Sequence, residues 1–394
     1  MDDDTPWNLP MQPPVEPMLA KLARAIPKPV TDTDDGGWLF EPKWDGFRCI
    51  VFREGDRIEL FSRKLKPLAR YFPELLEPLL RALPVRCVVD GEIVVPDREA
   101  NGLDFDALLQ RIHPAKSRID RLAAETPSEF VAFDVLAVGD ETLVEQPMRL
   151  RRERLVEMVD VTDRVRVTPA STDRARAEEW FSTFEGAGLD GIIAKPSDGV
   201  YEPGKRSLVK VKHQRTGVVA IPGFRIHKDG NGVGSLMCAL YADRDSDGDA
   251  HDGDLRSVGV AASFSVKRRG ELLEELSSKT VDAVGGEAYE RHPWRDWMSW
   301  QDDRKAKTDA GESTSATDRA AGGSRWNMGK DTSFVPLATT KDAGLVAEVT
   351  FGQLEGSRFR HGVSFVRWRP ELTPSDCRMD QLDVATPVDF ATLF

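Results

Sequence analysis

The sequence predicts an α+β protein in which a domain of mixed strands and helices precedes a small closed β-barrel. Between residues 47 and 213, short apolar or β-branched runs alternate with segments of helical spacing. After His213 most runs are strand-like, and glycine-rich or acidic turns separate them. About five strands with one helix among them suit a barrel of the oligonucleotide-binding (OB) kind.

The elements of the first domain follow from apolar spacing and from the turn residues between runs. In chain order, the sequence predicts two strands within 47 to 63 around a turn at 54 to 56, a helix at 72 to 83, a strand at 85 to 95 broken at Asp90-Gly91, a strand at 129 to 138, a helix at 173 to 191 ended by glycines, and strands at 191 to 196 and 207 to 213.

The second domain is predicted in the same way. Its elements are strands at 216 to 226, 234 to 242 and 256 to 264, a helix at 266 to 279, and strands at 345 to 354 and 363 to 370. The helix begins with Lys267, Arg268 and Arg269, which either face water or contact DNA phosphates.

Composition shifts along the chain predict the domain boundaries. We expect a flexible N-terminal tail over 1 to 15, a first domain over 16 to 215 and the barrel domain over 216 to 394. Residues 301 to 324 contain no apolar residue beyond alanine, so they cannot bury enough surface to offset the entropy of ordering. They are expected to form a mobile insertion in the barrel domain.

The overall composition excludes several classes of protein. No apolar run is long enough to cross a bilayer, and the acidic, proline-rich N-terminus does not resemble a secretion signal, which predicts a cytoplasmic protein. The four cysteines form no C-x-x-C pair, which argues against a zinc site and a disulfide framework. The acidic stretch 243 to 254 matches the oxygen spacing of a calcium loop, but its strand-like flanks favour a solvated hairpin tip.

The net charge of −12 argues against a nucleic-acid partner, but the charges are unevenly distributed. Residues 203 to 215 carry five basic side chains and no acidic one, whereas acid is concentrated at 2 to 4 and 243 to 254. A local basic surface is therefore expected despite the acidic total.

Lys43 stands in the segment EPKWDGFR (41 to 48), which places an amine, two carboxylates and a guanidinium close together. A lysine amine is a nucleophile only when it is neutral, and nearby positive charges favour the neutral form. Lys210 and Lys212 alternate on one predicted strand and so face the same side. These lysines are the expected neighbours of Lys43.

Acidic residues near these lysines predict a magnesium site. A bound polyphosphate would favour the charged amine, so a divalent cation is needed to offset it and to stabilise leaving pyrophosphate. Asp90 and Glu92 project to one face of a predicted strand, and Glu185 lies at a predicted helix end. Few oxygen ligands, with room for water and phosphate, suit Mg²⁺.

Six blocks of sequence resemble, in order and approximate spacing, the six successive motifs of the adenylation domain of ATP-dependent DNA ligases: EPKWDGFR, SRK (62 to 64), VVDGEIVV, FVAFDVL, EGAGLDGIIAKP and SLVKVKHQ. Four later blocks resemble the barrel of the stand-alone bacterial ligase C type: PGFRIHKDGNGVGSLMCALY, VGVAASFS, GSRWNMGKD and RFRHGVSFVRWRP. The resemblance implies a nucleotidyltransferase (ATP-grasp-like adenylation) domain followed by an OB-fold β-barrel domain.

The resemblance also implies roles for individual residues. Lys43 would attack the ATP α-phosphate to give a lysyl-adenylate, with Asp45, Lys210 and Lys212 as further catalytic residues. Glu41 would contact the adenine amine, Arg48 the sugar and phosphate side, and Phe133 the face of the base. The full implied ATP site is Glu41, Lys43, Arg48, Arg63, Glu92, Phe133, Lys195, Lys210 and Lys212, with Glu92 and Glu185 at the metal.

The resemblance further implies a partner and cofactors. The partner would be nicked duplex DNA, which the monomeric enzyme would bind at the bacterial nucleoid through Arg63, Lys64, Lys205, Arg206, Arg367 and Arg369. Arg63 would meet the 5′-phosphate of the nick. The cofactors would be ATP and Mg²⁺ or Mn²⁺, and the cellular role would be DNA repair.

Several alternatives remain open in the sequence. An RNA ligase or an mRNA-capping guanylyltransferase uses the same lysine chemistry, and a DNA-binding protein with a degenerate first domain is a non-catalytic alternative. Phe133 could be a core residue, and Lys195 a surface lysine instead of a phosphate contact. In the family's last motif an arginine is followed by an acidic and a basic residue, whereas RWRPEL ends in Leu372.

Overall fold

A computed structural model describes residues 6–30, 37–97, 102–183, 189–213, 215–242, 254–281, 286–299, 334–352, 354–355, 358–359, 363–382 and 394. The chain divides into two compact units, Met1–His213 with Ala385–Phe394, and Gln214–Val384. The predicted insertion at 301 to 324, Glu185 and nearly all of the acidic stretch 243 to 254 lie outside the described residues.

The first unit is a mixed α/β structure. Its strands are β1 (Ala20–Ala23), β2 (Trp38–Pro42), β3 (Phe47–Glu54), β4 (Arg57–Ser62), β5 (Arg86–Val94), β6 (Pro96–Asp97), β7 (Gly102–Leu103), β8 (Glu129–Val138), β9 (Glu141–Thr142), β10 (Val165–Val167), β11 (Ile192–Pro196) and β12 (Leu208–Val211). Its helices are α1 (Pro73–Ala82), α2 (Phe105–Gln110), α3 (Lys116–Glu125), α4 (Met148–Met158) and α5 (Arg174–Thr183).

Two sheets organise this unit. One has the strand order β1-β12-β11-β2, and the other has the order β10-β8-β5-β3-β4 with β9 beside β8. Strands β3, β5 and β8 carry apolar residues on both faces, so each face of the larger sheet has its own core. One core contains Ile50, Phe52 and Leu208 and joins the two sheets, while the other is covered by α1 and α4.

The N-terminal segment differs from the predicted flexible tail. Trp7 and Leu9 are each 7% exposed and pack in the core that joins the two sheets. Trp7 also contacts the Phe52 ring edge-on at 6.2 Å between ring centroids. A tryptophan in such a contact buries a large apolar area, which outweighs the turn-forming prolines around it.

The second unit is a five-stranded barrel. Its elements are β13 (Arg215–Ile226), β14 (Val233–Tyr241), β15 (Leu255–Ala261), α6 (Val266–Ser277), α7 (Glu287–Glu290), β16 (Val335–Pro336), β17 (Val346–Phe351), β18 (Leu354–Glu355), β19 (Arg358–Phe359) and β20 (Ser364–Trp368). The strand order is β15-β14-β13-β17-β20, and a parallel bridge between Ala261 and Val363 closes the circle. Leu272 and Leu276 of α6 are buried in its core.

The main elements predicted from sequence are present, with two kinds of difference. The break predicted at Asp90-Gly91 is wrong: β5 is continuous there and only shifts its register against β8. Helices α2, α3 and α4 were not predicted, because each buries few apolar residues. In α4 the buried residues are Met148, Arg151 and Leu155, and such a pattern carries little amphipathic signal.

Two expectations from composition can be compared with the described residues. All four cysteines are buried and unpaired, which agrees with the expectation that they form no disulfide framework. Within the described parts of the chain, every helix is too short or too polar to span a lipid bilayer.

Two glycines provide a matched test of packing. A Cβ on Gly46 would lie 2.1 Å from the Ile93 carbonyl oxygen, whereas a Cβ on Gly270, at an exposed position of α6, would meet no atom within 4 Å. Gly46→Ala should therefore cost about 1–3 kcal/mol of stability, and Gly270→Ala should add about 0.5–1 kcal/mol. Calorimetric unfolding of both variants measures this, and equal shifts would contradict the packing at Gly46.

Candidate active site

Lys43 lies where the chain passes from the smaller sheet to the larger one. Beyond the end of β2, its backbone N–H donates to the Gly191 carbonyl at 2.8 Å, and the Asp190 N–H donates to the Lys43 carbonyl at 3.1 Å. The following turn approaches β5 so closely at Gly46 that a side chain would collide with the backbone. These contacts fix the backbone on both sides of the amine.

Asp190 joins Lys43 and Lys212, two of the three lysines that the sequence predicted to be neighbours. Its carboxylate lies 2.6 Å from the Lys43 ammonium and also pairs with the Lys212 ammonium. Burial acts to raise the pKa of this carboxyl, but Lys43 and Lys212 outweigh it and hold the pKa below its usual range. Asp190 is therefore an ionised acceptor between two cations.

Lys210 lies in a cluster of cationic side chains close to Lys43 and Lys212. Burial lowers the pKa of the Lys210 amine, and the neighbouring charges of Lys212, Lys43, Arg63 and Arg206 lower it further. Lys210 belongs to β12, whose register places it opposite Leu22 of β1 and Ile193 of β11. The structure thus brings Lys210 and Lys212 of the sequence prediction close to Lys43, and it brings Arg63 close to Lys210.

Arg48 lies on β3, after the turn through Gly46, and is held by Asp90. Its guanidinium donates from Nε and Nη2 to the two carboxylate oxygens of Asp90, each at 2.6 Å. Asp90 also accepts from the Tyr201 hydroxyl at 2.6 Å, and that hydroxyl accepts from the Met18 N–H at 3.1 Å. Asp90 therefore orients Arg48, and all of its oxygens have donors.

Glu92 lies on β5 opposite Arg48 and close to Lys43. Burial raises the pKa of the Glu92 carboxyl to about 7, although Arg48 and Lys43 act to lower it. A carboxyl with this pKa is a poor resident anion but ionises readily when a cation binds beside it. The described residues contain no group of three or more acidic, histidine or cysteine side chains in metal-binding proximity.

Glu92 and Asp190 nevertheless fit a magnesium ion. Mg²⁺ is usually held by one or two carboxylates together with substrate phosphates and water, so a larger protein cage is not required. Both carboxylates interact with Lys43, one by a direct ion pair and the other through its charge. A cation held by these two carboxylates would lie next to the Lys43 amine.

Glu41 and Lys195 form a buried pair on the neighbouring strands β2 and β11. Their charged groups lie 2.9 Å apart, and each side chain is 3% exposed. Lys195 also donates to the Phe133 carbonyl at 2.7 Å. Buried pairs of this kind add little net stability, but removing one partner typically costs about 3–5 kcal/mol. Lys195 is thus a buried and paired residue, unlike the surface lysine considered from sequence.

Phe133 is 7% exposed and is flanked by cations. The Arg48 guanidinium lies 4.3 Å from its ring centroid and the Lys195 ammonium lies 4.9 Å from it. Phe133 packs in a small apolar cluster with Trp44, Val94, Val131 and Leu189. Asp45 is half-buried directly after Trp44.

The predicted DNA-binding residues fall into two groups. In the first unit, Arg63, Lys64, Lys205 and Arg206 are exposed, Lys205 pairs with Glu202, and Arg206 donates to the Ala20 carbonyl. In the second unit, Arg367 and Arg369 share Glu348, with N–O distances of 2.9 and 3.1 Å. Leu372 is half-buried and packs against the barrel core.

Three residues that contact or act on Lys43, Asp90 or Glu41 were missed from sequence. They are Asp190, Tyr201 and Arg152, the last of which acts electrostatically on Glu41. Asp190 had a usable signal, because it stands in an Asp-Gly doublet, as Asp90 does. Tyr201 and Arg152 have no local signal, since their proximity depends on tertiary contacts.

The chain matches one protein family and is similar to known proteins over nearly its whole length. The family model of the ATP dependent DNA ligase domain matches residues 17–212. DNA ligase C1 of Mycolicibacterium smegmatis is 46% identical over 391 residues, covering 97% of each chain. DNA ligase C of Mycobacterium tuberculosis is 45% identical over 382 residues, covering 95% of this chain and 96% of the relative.

A solved structure supports the fold alone. The protein named Pmar-Lig_Pre aligns with a TM-score of 0.50 at 14% identity, covering 85% of this chain and 64% of the other. The fold is therefore that of a nucleotidyltransferase domain followed by an OB-fold barrel, as the sequence predicted.

The chain belongs to the ATP-dependent DNA ligases, enzymes that use ATP to seal nicks in duplex DNA. Within this family it is of the stand-alone bacterial ligase C type. This membership decides against the RNA ligase, capping and non-catalytic alternatives that the sequence had left open.

Glu92→Gln should change how stability depends on pH in metal-free buffer. The pKa of Glu92 is about 7 in the folded protein and near 4.5 when unfolded, so the folded state holds the proton more tightly. The contribution of the Glu92 carboxyl to the stability of the folded protein is fully present at a pH below its unfolded pKa. This contribution is lost as the pH rises through its folded pKa. The variant lacks this loss, so its melting temperature relative to wild type should increase from about pH 5 to about pH 8.

Calorimetry in the presence of EDTA measures both proteins at the two pH values. Glu125→Gln, which changes an exposed carboxyl of α3, is the matched control and should differ from wild type equally at both. A constant difference between wild type and Glu92→Gln would show that Glu92 is ionised throughout this range.

Proposed function

We propose that Lys43 is the residue that becomes covalently adenylylated. Its amine would attack the ATP α-phosphorus, forming a P–N bond as the bond to pyrophosphate breaks and the amine loses its proton. The proposal is carried by the grouping of Lys43 with Lys210, Lys212 and Asp190, which supplies cations for the phosphates. The fixed backbone around Lys43 limits the reorganisation that the attack requires.

The remaining residues of the predicted ATP site divide by the part of the nucleotide they would meet. Glu41, with Lys195 beside it, would accept a hydrogen bond from the adenine amine, and Phe133 would contact the base. Arg48, oriented by Asp90, would face the sugar and phosphate side. This assignment is supported by the separation of a buried carboxylate end from a partly exposed cation end.

Mg²⁺, or Mn²⁺ in its place, would be held by Glu92 and Asp190 together with phosphate oxygens. When bound, it would supply positive charge that offsets the polyphosphate and eases the departure of pyrophosphate. Glu185 remains a candidate from sequence alone. The support for Asp190 is its ionised state beside Lys43, and the support for Glu92 is a pKa that lets a cation ionise it near neutral pH.

The later steps would use the same residues. An oxygen of the DNA 5′-phosphate attacks the adenylate phosphorus and releases Lys43; the 3′-hydroxyl then attacks the activated 5′-phosphate and releases AMP. Arg63 would meet the 5′-phosphate, and Asp45 would act in these steps. Lys64, Lys205 and Arg206 would bind the DNA backbone, as would Arg367 and Arg369 after release from Glu348.

We also propose the wider setting. Residues 16–215 and 216–394 would be the adenylation and OB domains of a monomer that acts in the cytoplasm at the nucleoid, where ATP and chromosomal DNA are both present. Nick sealing completes DNA repair, replication and recombination, and we assign this enzyme to repair. A host strain lacking it should be more sensitive to DNA damage, and unchanged sensitivity would remove that assignment.

Lys43→Ala should abolish both covalent labelling by α-labelled ATP and sealing of a nicked duplex, because no other amine occupies its position. Sealing of a nick already carrying AMP on its 5′-phosphate should persist, because the lysine is not needed to deliver AMP. Gel analysis of the labelled protein and of the joined strand measures these reactions.

Lys116→Ala is the control, since Lys116 is exposed on α3 and pairs only with Asp120 in the described contacts. It should label and seal as wild type does. Labelling of Lys43→Ala by ATP would reject Lys43 as the nucleophile.

Lys64→Ala and Arg206→Ala should weaken nick binding at every DNA sequence, because phosphate contacts carry no sequence information. Each lost contact should reduce the slope of log affinity against log salt by about one. Fluorescence anisotropy with a nicked duplex over a salt series measures the slope. Arg121→Ala, which removes an exposed charge of α3, should leave the slope unchanged. Wild-type slopes for both test variants would exclude their contact with DNA.

A further inference from the structure

Two buried polar atoms at the base end of the proposed ATP site have no hydrogen-bond partner among the described residues. One is the carboxylate oxygen Oε1 of Glu41, and the other is the guanidinium nitrogen Nη1 of Arg152. A buried polar atom without a partner is costly, typically about 1–3 kcal/mol. Two such atoms in one region indicate a ligand that satisfies both.

The two atoms belong to side chains that act on each other. Burial raises the pKa of Glu41, and the charges of Lys195 and Arg152 oppose that effect. Burial lowers the pKa of Arg152, and the charges of Glu41 and Asp134 oppose it in turn. An acceptor and a donor therefore lie within electrostatic reach in a region of low dielectric.

Other contacts fix the position of Arg152. Its Nη2 donates to the Thr168 carbonyl, and the hydroxyl of Thr168 accepts from the Trp44 indole at 2.8 Å. Arg152 is thus anchored through one nitrogen to a residue that also holds Trp44, directly after the nucleophile. Its second terminal nitrogen, Nη1, remains available.

The backbone beside Glu41 cannot supply the same donor. Pro42 has no N–H, and the N–H of Lys43 is already donated to Gly191. Lys195 has two of its three N–H donors engaged, by Glu41 and by the Phe133 carbonyl. Among these neighbours, Arg152 is the residue whose donor nitrogen is buried without a partner in the described contacts.

We propose that Arg152 is a specificity-determining residue that donates a hydrogen bond to N1 of adenine, while Glu41 accepts one from the 6-amino group. Adenine presents this donor and acceptor side by side on one edge. Guanine presents the reverse pattern, a carbonyl acceptor and an N1–H donor, so it would oppose acceptor to acceptor and donor to donor. The inference rests on the proposed ATP site and extends it to the reading of the base.

Nucleotide analogues test each half of the pair. In 1-deaza-ATP a C–H group replaces N1, and in purine riboside triphosphate a hydrogen replaces the 6-amino group. Loss of a hydrogen bond to a charged partner should lower kcat/KM for self-adenylylation of the wild-type enzyme by about 10- to 100-fold with either analogue. Equal kcat/KM for ATP and 1-deaza-ATP in the wild-type enzyme would overturn the proposal without any variant.

Arg152→Met gives the decisive comparison. The variant should use ATP about 10- to 100-fold less efficiently than wild type, with no additional loss for 1-deaza-ATP, but should keep the full penalty for purine riboside triphosphate. If Arg152 had only a structural role, the variant would lose kcat/KM for ATP and for 1-deaza-ATP in parallel, and the N1 penalty would stay intact. That outcome would reject Arg152 as a base-reading residue.

Two further variants complete the design. Arg154→Met, an exposed position of the same helix that pairs with Glu157, should retain the wild-type N1 penalty. Lys195→Met should also retain the N1 penalty. If the N1 penalty is lost in Lys195→Met and kept in Arg152→Met, then Lys195 is the residue that contacts N1. If wild type labels Lys43 with ATP but ignores both analogue changes, the proposed nucleophile stands and the base-reading pair falls.

Discussion

The placement of the Lys43 amine depends on a short stretch of backbone pairing beyond the end of β2. Two hydrogen bonds tie Lys43 to Gly191 and Asp190, so this amine and its carboxylate partner are brought together from distant parts of the sequence. The turn through Gly46 then carries the chain into the larger sheet, where Glu92 and Asp90 lie on the adjacent strand. If this pairing shifted by one residue, the amine would face away from the cation cluster.

The charges around Lys43 compete with one another, and this competition would make the proposed site responsive to nucleotide. Asp190 places a single negative charge between two ammonium groups, and two unit charges about 4 Å apart at an effective dielectric of 20 attract by about 4 kcal/mol. A polyphosphate entering the site would compete with Asp190 for the same lysines. Asp190 would then be free to meet the cation that accompanies the polyphosphate, so one carboxylate could serve both states.

Sequence patterns predicted the strands, the barrel and the group of lysines around Lys43, because each of these features leaves a local signal in the sequence. Apolar runs buried on both faces mark β3, β5 and β8, and Lys210 interrupts the apolar residues of β12. Tyr201 and Arg152 could not be foreseen in this way. A tyrosine or arginine on its own looks like a surface residue, and only tertiary packing brings them to Asp90 and Glu41. The helix α4 was not predicted from sequence for a related reason, because its buried face includes an arginine.

Pro42 has a consequence for the thermodynamics of nucleotide binding. A residue that precedes proline is restricted to extended conformations even in the unfolded chain, so Glu41 loses little backbone freedom when the protein folds. With Glu41 also held by Lys195, the proposed base end of the site is already ordered without a ligand. Binding of the base should therefore carry a small conformational entropy penalty, and its free energy should come mainly from the enthalpy of the hydrogen bonds that it completes.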